Sequence, residues 1–222
     1  MSPVRVHAQV ATLEAQFPPG YALYSGHLDW TSLEGLPRDR FVFTVLRDPR
    51  ERIASFYFFL LAEAARLSPE ELATPQRTGM RMIATRTADD YFFGGDGKWQ
   101  RFVLDHYDNF QMSYLATRKV RGLRDLDGLP DPARIDRALE GAAGIDAVYG
   151  VGNLAALEAD LDARLGVRVS LVDTFVNAGP VAGRNARWPR LLERLESDAN
   201  RARLEEFVRL DIVLLDRLGV AG

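Results

Sequence analysis

Apolar residues along this chain fall into short continuous runs that alternate with longer stretches of helical spacing. The clearest run, Phe41 to Leu46, is rich in aromatic and β-branched residues and predicts a strand covered on both faces. A helix is predicted to follow at once, from Pro49 to about Arg66. Asp48 suits its N-cap, Pro49 the first helical position and Glu51 the third, an acidic version of the capping box. Upstream, Val4 to Phe17 reads as a helix ended by Pro18-Pro19-Gly20, and Tyr21 to Ser25 as a strand stopping at Gly26-His27. About a dozen residues then lead to Phe41, enough for a crossover between parallel neighbours.

Downstream, Ser68-Pro69-Glu70-Glu71 is a second capping box, and Gly94-Gly95-Asp96-Gly97 is a loop. Trp99 to Thr117 reads as one helix, Gly122 to Pro132 as a polar connector, and Ala133 to Ala142 as a further helix. The apolar run Ala147 to Val151 predicts a strand, after which Asn153 caps an amphipathic helix ending at Gly166. Val169 to Phe175 is a last strand or an extended segment, and Asn177 to Trp188 a Gly/Asn-rich loop. The remainder is a helical pair with Ser197 capping its second member. Strands alternating with helices predict a largely parallel sheet in a layered α/β fold.

A length of 222 residues suits one domain over residues 1–222. The apolar share of 47% and charged share of 27% are those of a soluble globular protein. A net charge of −3 argues against a general nucleic-acid binder, so any basic site must be local. With no cysteine, disulfides, zinc–thiolate sites and thiol catalysis are excluded, and three widely spaced histidines argue against a metal site. No signal-type core opens the chain and no run approaches a membrane span, so a cytoplasmic bacterial protein is expected. Lys98 and Lys119 are the only lysines. Arginine in their place suits planar recognition of phosphate or sulfate, and follows equally from a GC-rich genome.

The candidate chemistry gathers around the strand at Phe41. Arg47 precedes the free N–H groups at the start of the next helix, a natural place for an anion, and Ser55 lies two turns in. The plainer reading pairs Arg47 with a carboxylate and the Ser55 hydroxyl with the carbonyl one turn back. His27 follows one predicted strand and Arg47 the next. Parallel strands would bring both to the carboxyl edge, where open α/β sheets bind ligands. His106, one turn from Phe102 and Phe110, reads as a packed, hydrogen-bonded core histidine, and His7 as a residue of a surface helix with no role. Trp30, Tyr91 and Trp99 suit either stacking on sugar rings or, more simply, the core or its rim.

The string Arg47, Asp48, Pro49, Glu51, Arg52, Ser55 and Phe56-Tyr57-Phe58-Phe59 resembles the 3′-phosphate-binding segment of PAPS-dependent sulfotransferases. The likeness is closest to the carbohydrate branch that includes heparan sulfate 2-O-sulfotransferase. Tyr21 to Trp30 resembles the segment that carries that family's catalytic base. Asp108-Asn109-Phe110-Gln111 with Tyr114-Leu115 resembles its mid-chain helix, and Val148 to Val151 a later strand. The resemblance implies a P-loop-like α/β fold, a mostly parallel sheet flanked by helices. It also implies sulfuryl transfer from PAPS, without a metal, to the hydroxyl of a carbohydrate or another acceptor. Arg47 and Ser55 would hold the donor's 3′-phosphate and His27 would take the acceptor's proton. Arg184 would touch phosphate, or be a solvated loop charge.

One family signature is absent: an opening strand followed by a Pro-Lys-x-x-x-Thr-Ser loop that holds the 5′-phosphosulfate. No lysine precedes Lys98. Either the chain is shortened at its start, which is the favoured expectation, or it completes the site otherwise, or it keeps half a nucleotide site. A sheet lacking its first strand would close around the gap or borrow a strand within a homo-oligomer. The alternative function is a non-catalytic relative that binds PAP or a sulfated glycan.

Overall fold

A computed structural model describes residues 4–7, 17–27, 29–30, 33, 39–166, 168–172 and 187–220. Strand β1 (Val4–His7) pairs in parallel with β2 (Tyr24–His27), with Val4 opposite Tyr24 and His7 opposite His27. Strand β3 (Phe43–Leu46) pairs in parallel with β4 (Ala147–Gly150), with Leu46 opposite Gly150. The fold is mixed α/β and largely helical, and its strands pair in parallel as expected. Three predictions are corrected here. Val4 to His7 is a strand rather than the start of a helix, because β2 supplies hydrogen-bond partners that helical spacing does not reveal. Also, β2 and β3 lie in separate two-stranded ladders among the described residues. In β3 only Leu46 is buried and Val45 is 37% exposed, so the strand is not covered on both faces.

Helix α1 (Pro49–Ala64) starts as predicted: Asp48 Oδ1 accepts the Glu51 N–H at 2.9 Å and Pro49 opens the first turn. The box at Ser68 is complete, since Ser68 and Glu71 exchange hydrogen bonds ahead of α2 (Pro69–Leu72). Next come α3 (Thr78–Thr85), α4 (Ala88–Phe93), α5 (Gly97–Tyr107) and α6 (Phe110–Thr117). The predicted single helix Trp99 to Thr117 is therefore two. Asn109 takes a left-handed conformation, φ 42° and ψ 47°, which ends one helix and re-aims the next.

Helix α7 (Asp131–Ala143) leads to β4, and α8 (Leu154–Leu165) ends on Gly166 at φ +62°. Asn153 occupies the N-cap position of α8 without a side-chain capping bond. Residues 168–172 hold no strand, and the rest of the predicted segment to Phe175 lies outside the described residues. Helices α9 (Arg187–Leu192) and α10 (Asp198–Arg217) form the closing pair, the second capped by Ser197 as predicted. Arg187 and Trp188, assigned to a loop from sequence, begin α9.

The first core packs Ile53, Tyr57 and Phe58 of α1 against α3, α4, α5, α9 and the first half of α10. Its centre is aromatic: Tyr57 stacks on Phe92 with centroids 5.5 Å apart, and the Tyr91 and Tyr107 hydroxyls bond each other at 2.8 Å. A second core joins Leu46, Trp30, α6, α7 and the last part of α10. Helix α10 contributes Leu204 and Val208 to one core and Leu210 and Leu214 to the other, so it is the wall they share. A third cluster, Tyr149 with Leu157 and Leu161, packs on Phe41 and Phe43. Trp30, Tyr91 and Trp99 are 7%, 0% and 5% exposed, which gives them to the core rather than to sugar stacking. Among the described residues no helix is long and apolar enough to cross a membrane.

Helices α6 and α7 touch backbone to side at Gly141. A Cβ there would lie 2.0 Å from the Leu115 carbonyl oxygen, a backbone atom that cannot swing away. Gly141→Ala is therefore expected to cost about 3 kcal/mol, the overpacking range. Denaturant unfolding checks it, and a loss under about 1 kcal/mol would show that the two helices separate freely.

Candidate functional site

Each residue of the string after β3 has a distinct task. Asp48 caps its own helix. Glu51 does not reach back to complete a capping box. Its Oε1 instead accepts the N–H groups of Arg187 and Trp188, at 3.2 and 3.1 Å, and so anchors the first turn of α9. Arg50 binds Glu205 of α10 through Nε and Nη2, at 3.1 and 2.9 Å. Arg52 turns inward: its Nη2 donates to the His106 carbonyl at 2.9 Å and its guanidinium lies 3.9 Å from the centre of the Phe110 ring. These contacts leave Arg47 and Ser55. Among the described residues, neither the Arg47 guanidinium nor the Ser55 hydroxyl has a hydrogen bond or an ion pair. The carboxylate partner and the Ser55 back-bond of the plainer reading are thus both absent among the described residues.

The backbone of Arg47 is held tightly where its side chain is not. It is the first residue beyond β3, so β4 no longer pairs with it. The Gln111 side chain takes over: the Arg47 N–H donates to Gln111 Oε1 at 3.0 Å, and Gln111 Nε2 donates to the Arg47 carbonyl at 3.0 Å. Gln111 is itself placed by Asp211 of α10, whose carboxylate accepts the N–H groups of Gln111 and Met112 at 3.2 and 2.6 Å. Asp211 thereby caps α6, because the formal cap, Asn109, spends its Oδ1 on the N–H groups of Leu210 and Asp211 at 2.7 and 3.2 Å. Burial pushes the Asp211 carboxyl up to about 6, against the pull of the Met112 N–H, the Arg52 cation and the Gln111 N–H.

Arg47 stands among charges of both signs. Its pKa is lowered first by burial and then by Arg187, with Glu51 and Asp48 opposing. Arg52 is lowered to about 10, chiefly by burial, and Arg47 adds to that shift. A partly buried guanidinium at a helix start, beside other cations, is a site that an anion would relieve. Gln111 and Arg187 are the residues here that sequence reasoning did not assign. Gln111 carried a signal, since it lies in the string Asp108 to Gln111. Arg187 did not, because it was read as the end of a loop.

The other predicted residues are placed less fully. His27 is the last residue of β2, and its Cα partner in β1 is His7, which had been read as helical. The side chains of both histidines, and all of Arg184, lie outside the described residues. His106 is the packed histidine expected: its Nδ1 donates to the Phe102 carbonyl at 2.7 Å and its ring stacks on Phe102 with centroids 4.1 Å apart. Burial lowers its pKa. A depression of about 620 Å³ between α1 and α9, floored by Phe58 and Leu61, is not lined by Arg47 or Ser55. Among the described residues no acidic, histidine or cysteine cluster could hold a metal ion.

Asp211→Asn tests the cap. An asparagine offers one acceptor to two buried N–H donors, so a loss of about 1–3 kcal/mol is expected. Because the folded carboxyl stands near 6, above the ordinary unfolded value of about 3.9, its stabilising contribution is full below the unfolded value. That contribution is lost as pH rises through about 6. The gap between the natural protein and the variant should therefore be wider near pH 5 than near pH 8, as measured by urea unfolding at both. A gap that widens with pH would show Asp211 to be held ionised.

Comparison of the chain with protein-family models, with curated proteins and with solved structures finds no match.

Proposed function

We propose that this protein transfers a sulfuryl group from PAPS to a hydroxyl, on a carbohydrate, and that Arg47 and Ser55 hold the donor's 3′-phosphate. One observation carries the reading. Arg47 is fixed by its backbone at the carboxyl end of β3, while its guanidinium, partly buried and with Arg187 nearby, has no hydrogen bond or ion pair among the described residues. An arginine kept for structure spends its guanidinium on the protein, as Arg52 does on the His106 carbonyl. The resemblance of the string from Arg47 to Phe59 supplies the identity of the anion.

In this reading the acceptor oxygen attacks sulfur, a new S–O bond forms, and the bond from sulfur to the 5′-phosphate oxygen of PAPS breaks to release PAP. His27, at the carboxyl end of β2, takes the acceptor's proton, as an imidazole can near neutral pH. Arg184 is a further contact to the donor's phosphate. No metal is required, because positioning and charge stabilisation do most of the work in such transfers. A P-loop-like layered sheet is the finer fold that goes with this mechanism, and the parallel pairing of both ladders supports it. A second reading is binding of PAP or a sulfated glycan without turnover, for which the Arg47 site alone would suffice.

Calorimetric titration with PAP, beside a PAPS turnover assay on carbohydrate acceptors, separates the two. Binding with turnover supports transfer, binding alone supports the second reading, and no binding overturns both. Arg47→Ala is expected to weaken PAP by about 2–5 kcal/mol, as when one partner of a buried charge pair is truncated. It should cost under about 1 kcal/mol of stability, since no structural ion pair is broken. His27→Ala should slow turnover about a hundred- to ten-thousandfold and leave PAP affinity unchanged. Full turnover in that variant would remove His27 from the mechanism.

A further inference from the structure

We propose that Gln111 is the positioning residue of the anion site. Its amide holds the Arg47 backbone extended beyond the end of β3, so that the guanidinium is presented to an anion instead of folding back on the protein. This inference rests on the reading of Arg47 as an anion-binding residue, and it names how that residue is kept in place.

The geometry is that of an additional strand residue. A ladder partner offers one acceptor and one donor to its neighbour's backbone, and Gln111 offers both to Arg47, each at 3.0 Å. The ladder with β4 stops at Leu46, and α1 begins at Pro49. Arg47 therefore sits between two regular elements, and the Gln111 side chain is the partner of both its backbone groups. Gln111 is 5% exposed, and a buried side-chain amide is costly unless both its ends are satisfied. Its hydrogen bonds to Arg47 are both to backbone, and among the described residues nothing bonds the guanidinium.

Gln111 is also rigidly based. It stands in the first turn of α6, where its own N–H is bound by the Asp211 carboxylate, and Asp211 belongs to the helix shared by the two cores. Arg47 is thus referenced to the interior through Gln111 and Asp211, not merely through the turn on which it lies. Sites held by such outer hydrogen-bond partners keep their geometry better than sites on loops alone.

The test titrates the full chain with PAP and, separately, with inorganic phosphate. The natural protein, Arg47→Ala, Gln111→Leu and Gln111→Asn are compared, the last keeping the amide but drawing it back by one methylene. Each is measured at a temperature where circular dichroism shows it folded, so that a purely structural role lowers the melting temperature and leaves affinity alone. Gln111→Leu and Gln111→Asn should each weaken binding about tenfold or more, the range for removing an outer partner of a binding residue. Affinity within twofold of the natural protein in a folded Gln111 variant overturns the proposal while the donor reading stands. PAP binding no tighter than phosphate, with Arg47 and Gln111 both required, overturns the donor reading and leaves the positioning role standing. If neither anion binds the natural protein, or if neither Gln111 variant folds, the proposal falls.

Discussion

The structure depends on an exchange of hydrogen bonds between Asn109 and helix α10. Asn109 breaks the line from α5 to α6 and gives its N–H to the Phe207 carbonyl at 2.7 Å and its Nδ2 to the Glu206 carbonyl at 3.1 Å. Its Oδ1 takes two N–H groups of α10, and Asp211 of α10 takes two N–H groups of α6 in return. Asn109, Gln111 and Asp211 are buried, where a partly satisfied network would be worse than an apolar one. The pairing therefore admits one height of α6 against α10. That height sets the seam between the two hydrophobic cores, since α10 lines both.

The segment after β3 translates that fixed height into a site. Arg52 reaches the carbonyl of His106, just before the break, and lies against Phe110, just after it. Glu51 holds the first turn of α9, and Arg50 with Trp188 meets Glu205 of α10. One short stretch of α1 thus binds the helix break, the closing helix pair and the end of β3. Its charged residues do separate jobs because they lie on different faces of a single helical turn and a half. Arg47 stands before that turn, and its guanidinium, unlike those of Arg50 and Arg52, has no hydrogen bond among the described residues.

Local chemistry was legible in the sequence. The start of α1 at Asp48-Pro49, the capping box at Ser68, the Ser197 cap and the Gly166 terminus all appear where their residues placed them. So do the strands near Phe43 and Ala147, since β-branched and aromatic runs between turn residues leave few alternatives. His106 was readable as a core histidine from its neighbours one turn away. Errors came where long-range partners overrode local preference. Trp99 to Thr117 has continuous helical spacing, and only contact with α10 makes the left-handed Asn109 affordable. Glu51 fits a capping box by position but finds better donors in α9, a partner more than a hundred residues away.

By itself, then, the sequence determined which stretches are helix and strand, where most of them begin, and that an arginine stands at a strand–helix junction suited to an anion. Those properties follow from residues within a few positions of one another, so spacing reports them. Only the tertiary structure decided that the strands among the described residues form two separate parallel pairs, that Glu51 and Arg52 face inward, and that Gln111 holds Arg47 by its backbone. Most of these are choices of hydrogen-bond partner far apart in the chain, 54 residues for Arg52 with His106 and 64 for Gln111 with Arg47. Many donors and acceptors in the sequence are chemically equivalent for that purpose, and packing of the cores is what selects among them.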